Sequence, residues 1–159
     1  MQIQKLTNTT QSFGLPWDPK QRDMIPEIIS QTCPRNEIID AFEKFMWLDC
    51  DFYTPNHKIY IGSINKKQKG KNKLPNITLI AEPIRNGVTW EYEHLDTTGK
   101  KTFKTSLDIL AHEIQASNRT YYSDPAYYSS LPPEYAAIKF RERLDADEHF
   151  DEMFNRDKE

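Results

Sequence analysis

The sequence predicts an α+β fold, in which an antiparallel sheet of three to four strands, over about residues 57–105, is packed by N-terminal helices and two C-terminal helices. Two observations lead to this prediction. Apolar residues recur at helical spacing before and after this region, whereas within it they tend to alternate, as in strands. The chain length of 159 residues is also ordinary for one domain with a core of its own. We therefore expect a single domain over residues 1–159.

The first part of the chain predicts a loose arm, residues 1–16, followed by two helices. Asp18-Pro19 is a helix start, because an N-cap residue precedes a proline at the first helical position. Pro26 must end or restart this helix. Asn36 is expected to cap a second helix, whose wide apolar stripe predicts core packing, with an exposed aromatic binding face as the alternative. The stripe comprises Ile38, Ile39, Phe42, Phe45, Met46, Trp47 and Leu48.

The middle of the chain predicts a meander of strands. Residues 58–64 and 77–81 are rich in β-forming side chains, and Pro83 is expected at the end of the second strand or at a sheet edge. Asn86-Gly87 is a hairpin turn signal, and residues 88–94 after it alternate between apolar and polar.

The remaining elements are a last strand, two helices and a loop. A short strand is expected around Phe103, followed by a helix that is capped near Thr105, runs through about Ala116 and stops at Asn118. Residues 121–130 contain two Tyr-Tyr pairs, a proline and several serines, so we expect a loop or extended segment.

Pro132-Pro133 opens the last predicted helix. Its apolar side is formed by Ala137, Phe140 and Leu144. The helix is expected to fray into an acidic C-terminal segment, residues 145–159, that can stay flexible.

Charge is sorted into blocks along the chain. Residues 57–105 contain ten Lys and Arg against four Asp and Glu, whereas residues 106–159 contain six against twelve. Residues 1–56 contain five against eight. Such segregation steers charged partners without identifying them. It favours a small binding protein that inhibits or neutralises a macromolecular partner, in the manner of immunity proteins, antitoxins and anti-defence proteins of bacteria or phages.

Two segments are the candidate partner-binding sites of this hypothesis. The acidic tail fits a protein partner with a basic surface, unless it packs on its own domain. The tyrosine segment offers large contact area with a polar tip, unless it simply covers the core. The tail residues are Asp145, Asp147, Glu148, Phe150, Asp151, Glu152, Met153 and Phe154, and the tyrosines are Tyr121, Tyr122, Tyr127 and Tyr128.

The main alternative is nucleic-acid binding through a solvated loop, residues 65–73, that has no apolar side chain. Its lysines are Lys66, Lys67, Lys69, Lys71 and Lys73. A metal-dependent nuclease is a third hypothesis, because a hairpin would bring together the carboxylates of Glu82, Glu91 and Glu93. The acidic tail can also pair with the lysine loop of its own chain, and an antiparallel homodimer through the same oppositely charged blocks is equally allowed.

No motif points to a catalytic residue, a metal site or a cofactor. His112-Glu113 begins like a zinc-hydrolase helix, but position 116 is alanine where a second histidine is required. Cys33 and Cys50 are too sparse for a disulfide framework, so free thiols in a cytoplasmic protein are expected. No run of about 20 apolar residues predicts a membrane span.

Overall fold

The computed structural model describes residues 15–65, 75–85, 88–89, 95–96 and 102–155. These residues form an α+β fold, so the predicted class is confirmed. The chain divides into two compact units, residues 1–112 and 113–159. The single domain expected from the chain length stays a prediction.

The first unit begins with three α-helices, α1 (Pro19–Arg22), α2 (Ile25–Thr32) and α3 (Ile38–Leu48). Pro26 lies in the first turn of α2, so the predicted restart is confirmed. The predicted cap is wrong, because Asn36 lies in a 3₁₀ turn, Arg35–Glu37, that leads directly into α3. Glu37 takes the N-cap position of α3 without a side-chain hydrogen bond.

Helix α3 buries only part of the apolar stripe that the sequence suggested. Phe45, Trp47 and Leu48 are buried, but Ile39 and Met46 are 74% and 66% exposed. Residues 38–48 spread their apolar side chains around more of the helix than one packed face covers. The outermost of these side chains therefore face water.

The sheet is built around one long antiparallel pair, β1 (His57–Asn65) and β2 (Asn76–Arg85). Two further strands, β3 (Val88–Thr89) and β4 (Leu95–Asp96), each pair with β2 over two residues. The extended ladder within the described residues is thus two-stranded, and the predicted meander of three to four strands is not confirmed. Strand β2 also continues beyond its predicted end, since Pro83 pairs with His57.

The segment before α1 closes the outer edge of β1. The Asp18 amide donates to the Ile59 carbonyl at 2.8 Å, and the Ile59 amide donates to the Pro16 carbonyl at 2.9 Å. Further along β1, the Ile61 amide donates to Oε1 of Gln21 at 2.7 Å. An edge strand covered in this way offers little template for another chain. Pro16 therefore belongs to the folded part, and residues 1–14 of the predicted arm lie outside the described residues.

Helix α4 (Phe103–Tyr122) is longer than predicted at both ends. The strand expected around Phe103 is wrong, because Phe103 is the first residue of the helix and its side chain is buried. Asn118 is buried and does not end the helix. In the first unit, the Ser106 hydroxyl donates to the Ile77 carbonyl at 2.5 Å, which ties the start of α4 to β2.

The second unit contains the end of α4, then α5 (Pro125–Ser129), α6 (Pro133–Phe150) and a π-helical turn, Asp151–Asn155. The predicted start of α6 at the proline pair is confirmed. The loop predicted for residues 121–130 is wrong, because Asp124 caps α5 by accepting a hydrogen bond from the Ala126 amide at 3.0 Å. The acidic segment is helical through Asn155, and residues 156–159 lie outside the described residues.

The buried face of α6 differs from the predicted one. Phe140 and Leu144 are 50% and 44% exposed, whereas Arg143, Ala146 and Phe150 are buried. The Arg143 guanidinium lies over the Tyr122 ring, 4.5 Å from its centroid. Because a cation over an aromatic ring is stabilised, and the arginine stem is aliphatic, this side chain can occupy a core position.

Candidate functional site

Three acidic side chains form one exposed stripe along the end of α6 and the π-helical turn that follows it, which we call the acidic stripe: Asp145, Glu148 and Glu152. Their spacing of three and four residues places them on one side of a helix. Together with His149 they line a polar concavity of about 200 Å³. The stripe lies on the side of the helix opposite the buried Arg143, so it faces solvent.

Helix stability does not explain the position of this stripe. The C-terminal end of a helix carries a partial negative charge, and an acidic side chain there costs about 0.3–1 kcal/mol. Glu148 lies in the last turn of α6, and Glu152 lies in the π-helical turn that follows. Three like charges at this end also repel one another, so the stripe does not stabilise the helix that carries it.

Two other acidic residues of the predicted tail, the half-buried Asp147 and the exposed Asp151, pair with side chains at the end of α4. Asp147 accepts a hydrogen bond from Nε2 of Gln115 at 2.7 Å, and its Oδ1 lies 3.6 Å from Nε of Arg119. Asp151 pairs with Nη2 of Arg119 at 2.9 Å. These contacts hold α6 to the end of α4, which gives the exposed stripe a fixed support.

The apolar residues of the predicted tail are mostly buried. Phe150 and Phe154 are buried, with ring centroids 5.0 Å apart in an edge-to-face arrangement. Met153 is exposed. The predicted tail is therefore divided by the fold into a packed side and a solvent-facing side.

A second exposed feature of α6 is an apolar patch that sequence reasoning assigned to the interior or passed over. We define it as Ala137, Ile138, Phe140 and Leu144. It lines a concavity of about 470 Å³, together with Arg141 and Glu142. The available signal was that α6 carries two stripes with identical spacing, 137/140/144 and 143/146/150, of which only one can face a core.

The four tyrosines of the predicted binding segment pack on one another. Neighbouring ring centroids are 4.9–5.3 Å apart, and the Tyr128 hydroxyl donates to the Tyr122 carbonyl at 2.7 Å. Burial, followed by the neighbouring tyrosines, raises the pKa of Tyr127 to about 12. Tyr121, Tyr122, Tyr127 and Tyr128 are all half-buried, so they form a supporting cluster more than an open surface.

The tyrosine cluster meets the apolar patch at Phe140. The Phe140 ring packs edge-on against Tyr128, with centroids 5.5 Å apart. Phe140 and Leu144 also line a third concavity, of about 120 Å³, with Arg119, Tyr122, Ser123, Tyr128, Arg143 and Asp147. Phe140 is thus an exposed ring on a rigid base.

A charged cluster in the first unit was not foreseen from the sequence. The Lys44 ammonium is nearly buried and lies 2.8 Å from Asp40 and 3.2 Å from Asp108. Lys104 lies 3.6 Å from Asp40, and His112 lies 3.7 Å from Asp108. The cluster joins α3 to α4 and is explained by helix packing.

The residues of the two alternative hypotheses lie largely outside the described part of the chain. This holds for the loop lysines 66, 67, 69, 71 and 73 and for Glu91 and Glu93. Glu82 accepts a hydrogen bond from the Tyr60 hydroxyl at 2.9 Å. In the ranges that the structure describes, no group of three or more His, Cys, Asp and Glu side chains is arranged to hold a metal ion.

Two further findings concern the cysteines and whether any described helix could span a membrane. Cys33 and Cys50 are both free, as expected, and burial raises the pKa of the Cys33 thiol. None of the helices in the described ranges has the length and apolar character needed to cross a bilayer.

Comparisons of this chain with protein-family models, with curated proteins and with solved structures found no match in any of the three.

Proposed function

We propose that this protein is a non-enzymatic binding protein that inhibits or neutralises a macromolecular partner by charge-complementary protein–protein contact. The partner presents a basic surface, and the acidic stripe of α6 meets it. The observation that carries the proposal is the exposure of Asp145, Glu148 and Glu152 on one face of a helix, at the end where negative charge is least favourable for the helix itself.

The clustering of negative charge in the acidic stripe favours fast and selective association. Clustered charges of one sign accelerate encounter with an oppositely charged surface and disfavour partners of like charge. Three described bases of the second unit have other partners: Arg119 pairs with Asp147 and Asp151, Arg143 lies over Tyr122, and Lys139 pairs with Glu142. Arg141 is exposed one helical turn before Asp145, so the surplus of negative charge is concentrated toward Glu148 and Glu152.

The support of α6 reduces the cost of binding. Gln115 and Arg119 on α4 hold Asp147 and Asp151, and Phe150 packs on Phe154 beside them. A surface that is already ordered loses little conformational entropy when a partner docks. The same arrangement suits an inhibitor, which must occupy its target with high affinity.

The test compares two matched triple variants with the unchanged protein in affinity capture from the host lysate at low salt. One variant neutralises the stripe (D145N/E148Q/E152Q), and the control neutralises three exposed acids of the first unit (D23N/E43Q/D51N). Each lysate is divided into nuclease-treated and untreated halves. We expect a protein captured in both halves that is lost with the stripe variant and kept with the control.

Two outcomes would contradict the proposal. Equal capture by the stripe variant and the control would remove the acidic stripe from the interface. Capture that disappears after nuclease treatment would move the function to the alternative, nucleic-acid binding through the loop lysines. In that case affinity should fall steeply with salt for all sequences alike.

A further inference from the structure

We infer that the partner segment is an amphipathic helix whose apolar residues contact the apolar patch of α6 and whose Lys or Arg residues contact the acidic stripe. This inference rests on the proposed function and specifies the chemistry and shape of what binds there. It is carried by the adjacency of two surfaces of different character on one helix.

The two surfaces are arranged end to end. The apolar patch is centred near Phe140 and the acidic stripe near Glu148, eight residues further along the helix. At 1.5 Å per residue, their centres are about 12 Å apart along the axis, and the span from Ala137 to Glu152 is about 22 Å. A partner must therefore place apolar side chains and basic side chains at this separation.

A helix is the element that fits such a linear surface. Side chains of one helix pack into the grooves between side chains of another, and the packing class with a crossing angle of about 20° keeps the two axes nearly aligned. A helix of roughly 15 residues spans the same length as the combined surface. Its basic residues would face Asp145, Glu148 and Glu152, whose charges are complementary, and its apolar residues would cover Phe140 and Leu144.

Phe140 is the expected centre of the apolar contact. It is half exposed, it lines two adjoining concavities, and its ring is held by Tyr128. Aromatic side chains, phenylalanine among them, are enriched at the centres of protein interfaces. Leu144, one turn further along the helix, extends this contact toward the acidic stripe.

The experiment measures fluorescence anisotropy of labelled synthetic helical peptides added to the full chain. The probe carries leucines on one face of one half and lysines on the same face of the other half, and it is made in both orders. One control peptide has the same composition with leucine and lysine intermixed, and another has glutamate in place of lysine. We expect salt-dependent binding of the probe in one order and at least tenfold weaker binding of both controls.

Matched protein variants separate the two surfaces. F140S/L144S removes the apolar contact, and I39S/M46S changes two exposed apolar residues of the first unit as its control. Circular dichroism confirms that each variant stays folded. We expect at least tenfold weaker probe binding for F140S/L144S and for the stripe variant D145N/E148Q/E152Q, with I39S/M46S unchanged.

The outcomes distinguish this inference from the proposed function. If the stripe variant loses binding while F140S/L144S and the intermixed peptide behave like the originals, the charge contact stands and the amphipathic helix is wrong. If the probe does not bind in either order, the amphipathic helix is likewise wrong, and lysate capture still decides the proposed function. If the stripe variant affects neither peptide nor lysate binding, both proposals fail.

Discussion

The buried ion cluster around Lys44 makes a quantitative prediction about stability. The side chain of Lys44 is 6% exposed, whereas those of Asp40 and Asp108 are each 39% exposed. At an effective dielectric constant of about 20, the gross attractions at 2.8 Å and 3.2 Å are about 6 and 5 kcal/mol. Removing an ion of this kind from water costs several kcal/mol, so the net contribution of the intact cluster is small.

The consequence is an asymmetry between the two ways of breaking the cluster. Replacing both carboxylates (D40N/D108N) leaves a buried ammonium without a counter-ion from these two residues, and we expect a loss of about 3 kcal/mol in the free energy of unfolding, at the low end for broken buried pairs. Replacing the cation with an apolar chain of similar length (K44M) leaves carboxylates that can take up water, and we expect a change within about 1 kcal/mol.

The assay is urea and thermal unfolding at neutral pH, with E142Q as a control that removes the exposed Lys139–Glu142 pair. The control should change stability by less than about 1 kcal/mol. A loss of 3 kcal/mol corresponds to a decrease of about 6–12 °C in Tm for a chain of this size. The reasoning is refuted if K44M destabilises as much as D40N/D108N, or if the double variant behaves like E142Q.

Three more predictions concern the contact of Gly62 within the sheet, the titration of Asp49 and the protected edge of β1. A Cβ on Gly62 would lie 2.5 Å from Cδ1 of Ile80, so G62A should lower the free energy of unfolding by about 1–3 kcal/mol. In urea unfolding, the double variant G62A/I80V should lose less stability than the sum of the losses of G62A and I80V, because the shorter valine relieves the clash. Burial raises the pKa of Asp49, so the folded protein binds a proton at this carboxyl more tightly than the unfolded chain does. The free energy of unfolding of the wild type should therefore rise relative to that of D49N as the pH falls from the raised pKa toward the ordinary value of 3.8. Parallel curves of stability against pH for the two proteins would contradict this. Q21A removes the side chain that pairs with the Ile61 backbone, so it should cost about 1–2 kcal/mol of stability and increase aggregation measured by light scattering. Light scattering equal to that of the unchanged protein would exclude the role in edge protection.

Helix starts were predictable from the sequence where proline fixed the backbone. Pro19, Pro26 and Pro133 all lie in the first turns of the helices that they were expected to begin. The end of α4 could not be predicted in the same way. Asn118, the expected stop, is buried, and the helix continues past it. A proline excludes conformations wherever it occurs, whereas an asparagine ends a helix only if the next residues gain more elsewhere.

The composition of the binding surface was partly predictable and its orientation was not. The acidic character of the C-terminal region follows from residue counts. The structure leaves Asp145, Glu148 and Glu152 facing solvent but pairs Asp147 and Asp151 with side chains of α4. The spacing of apolar residues in α6 fits burial of either of two faces, 137/140/144 or 143/146/150, and it does not indicate which of them packs.

By itself, the sequence determined the α+β class, the positions of the two long strands and the surplus of acidic residues near the C-terminus, because these depend on local patterns and on counts. Only the tertiary structure decided that Arg143 packs inward over Tyr122 while Phe140 faces solvent. That choice depends on an aromatic ring contributed by another helix, which stabilises the cation at a core position, and no pattern within α6 contains this information.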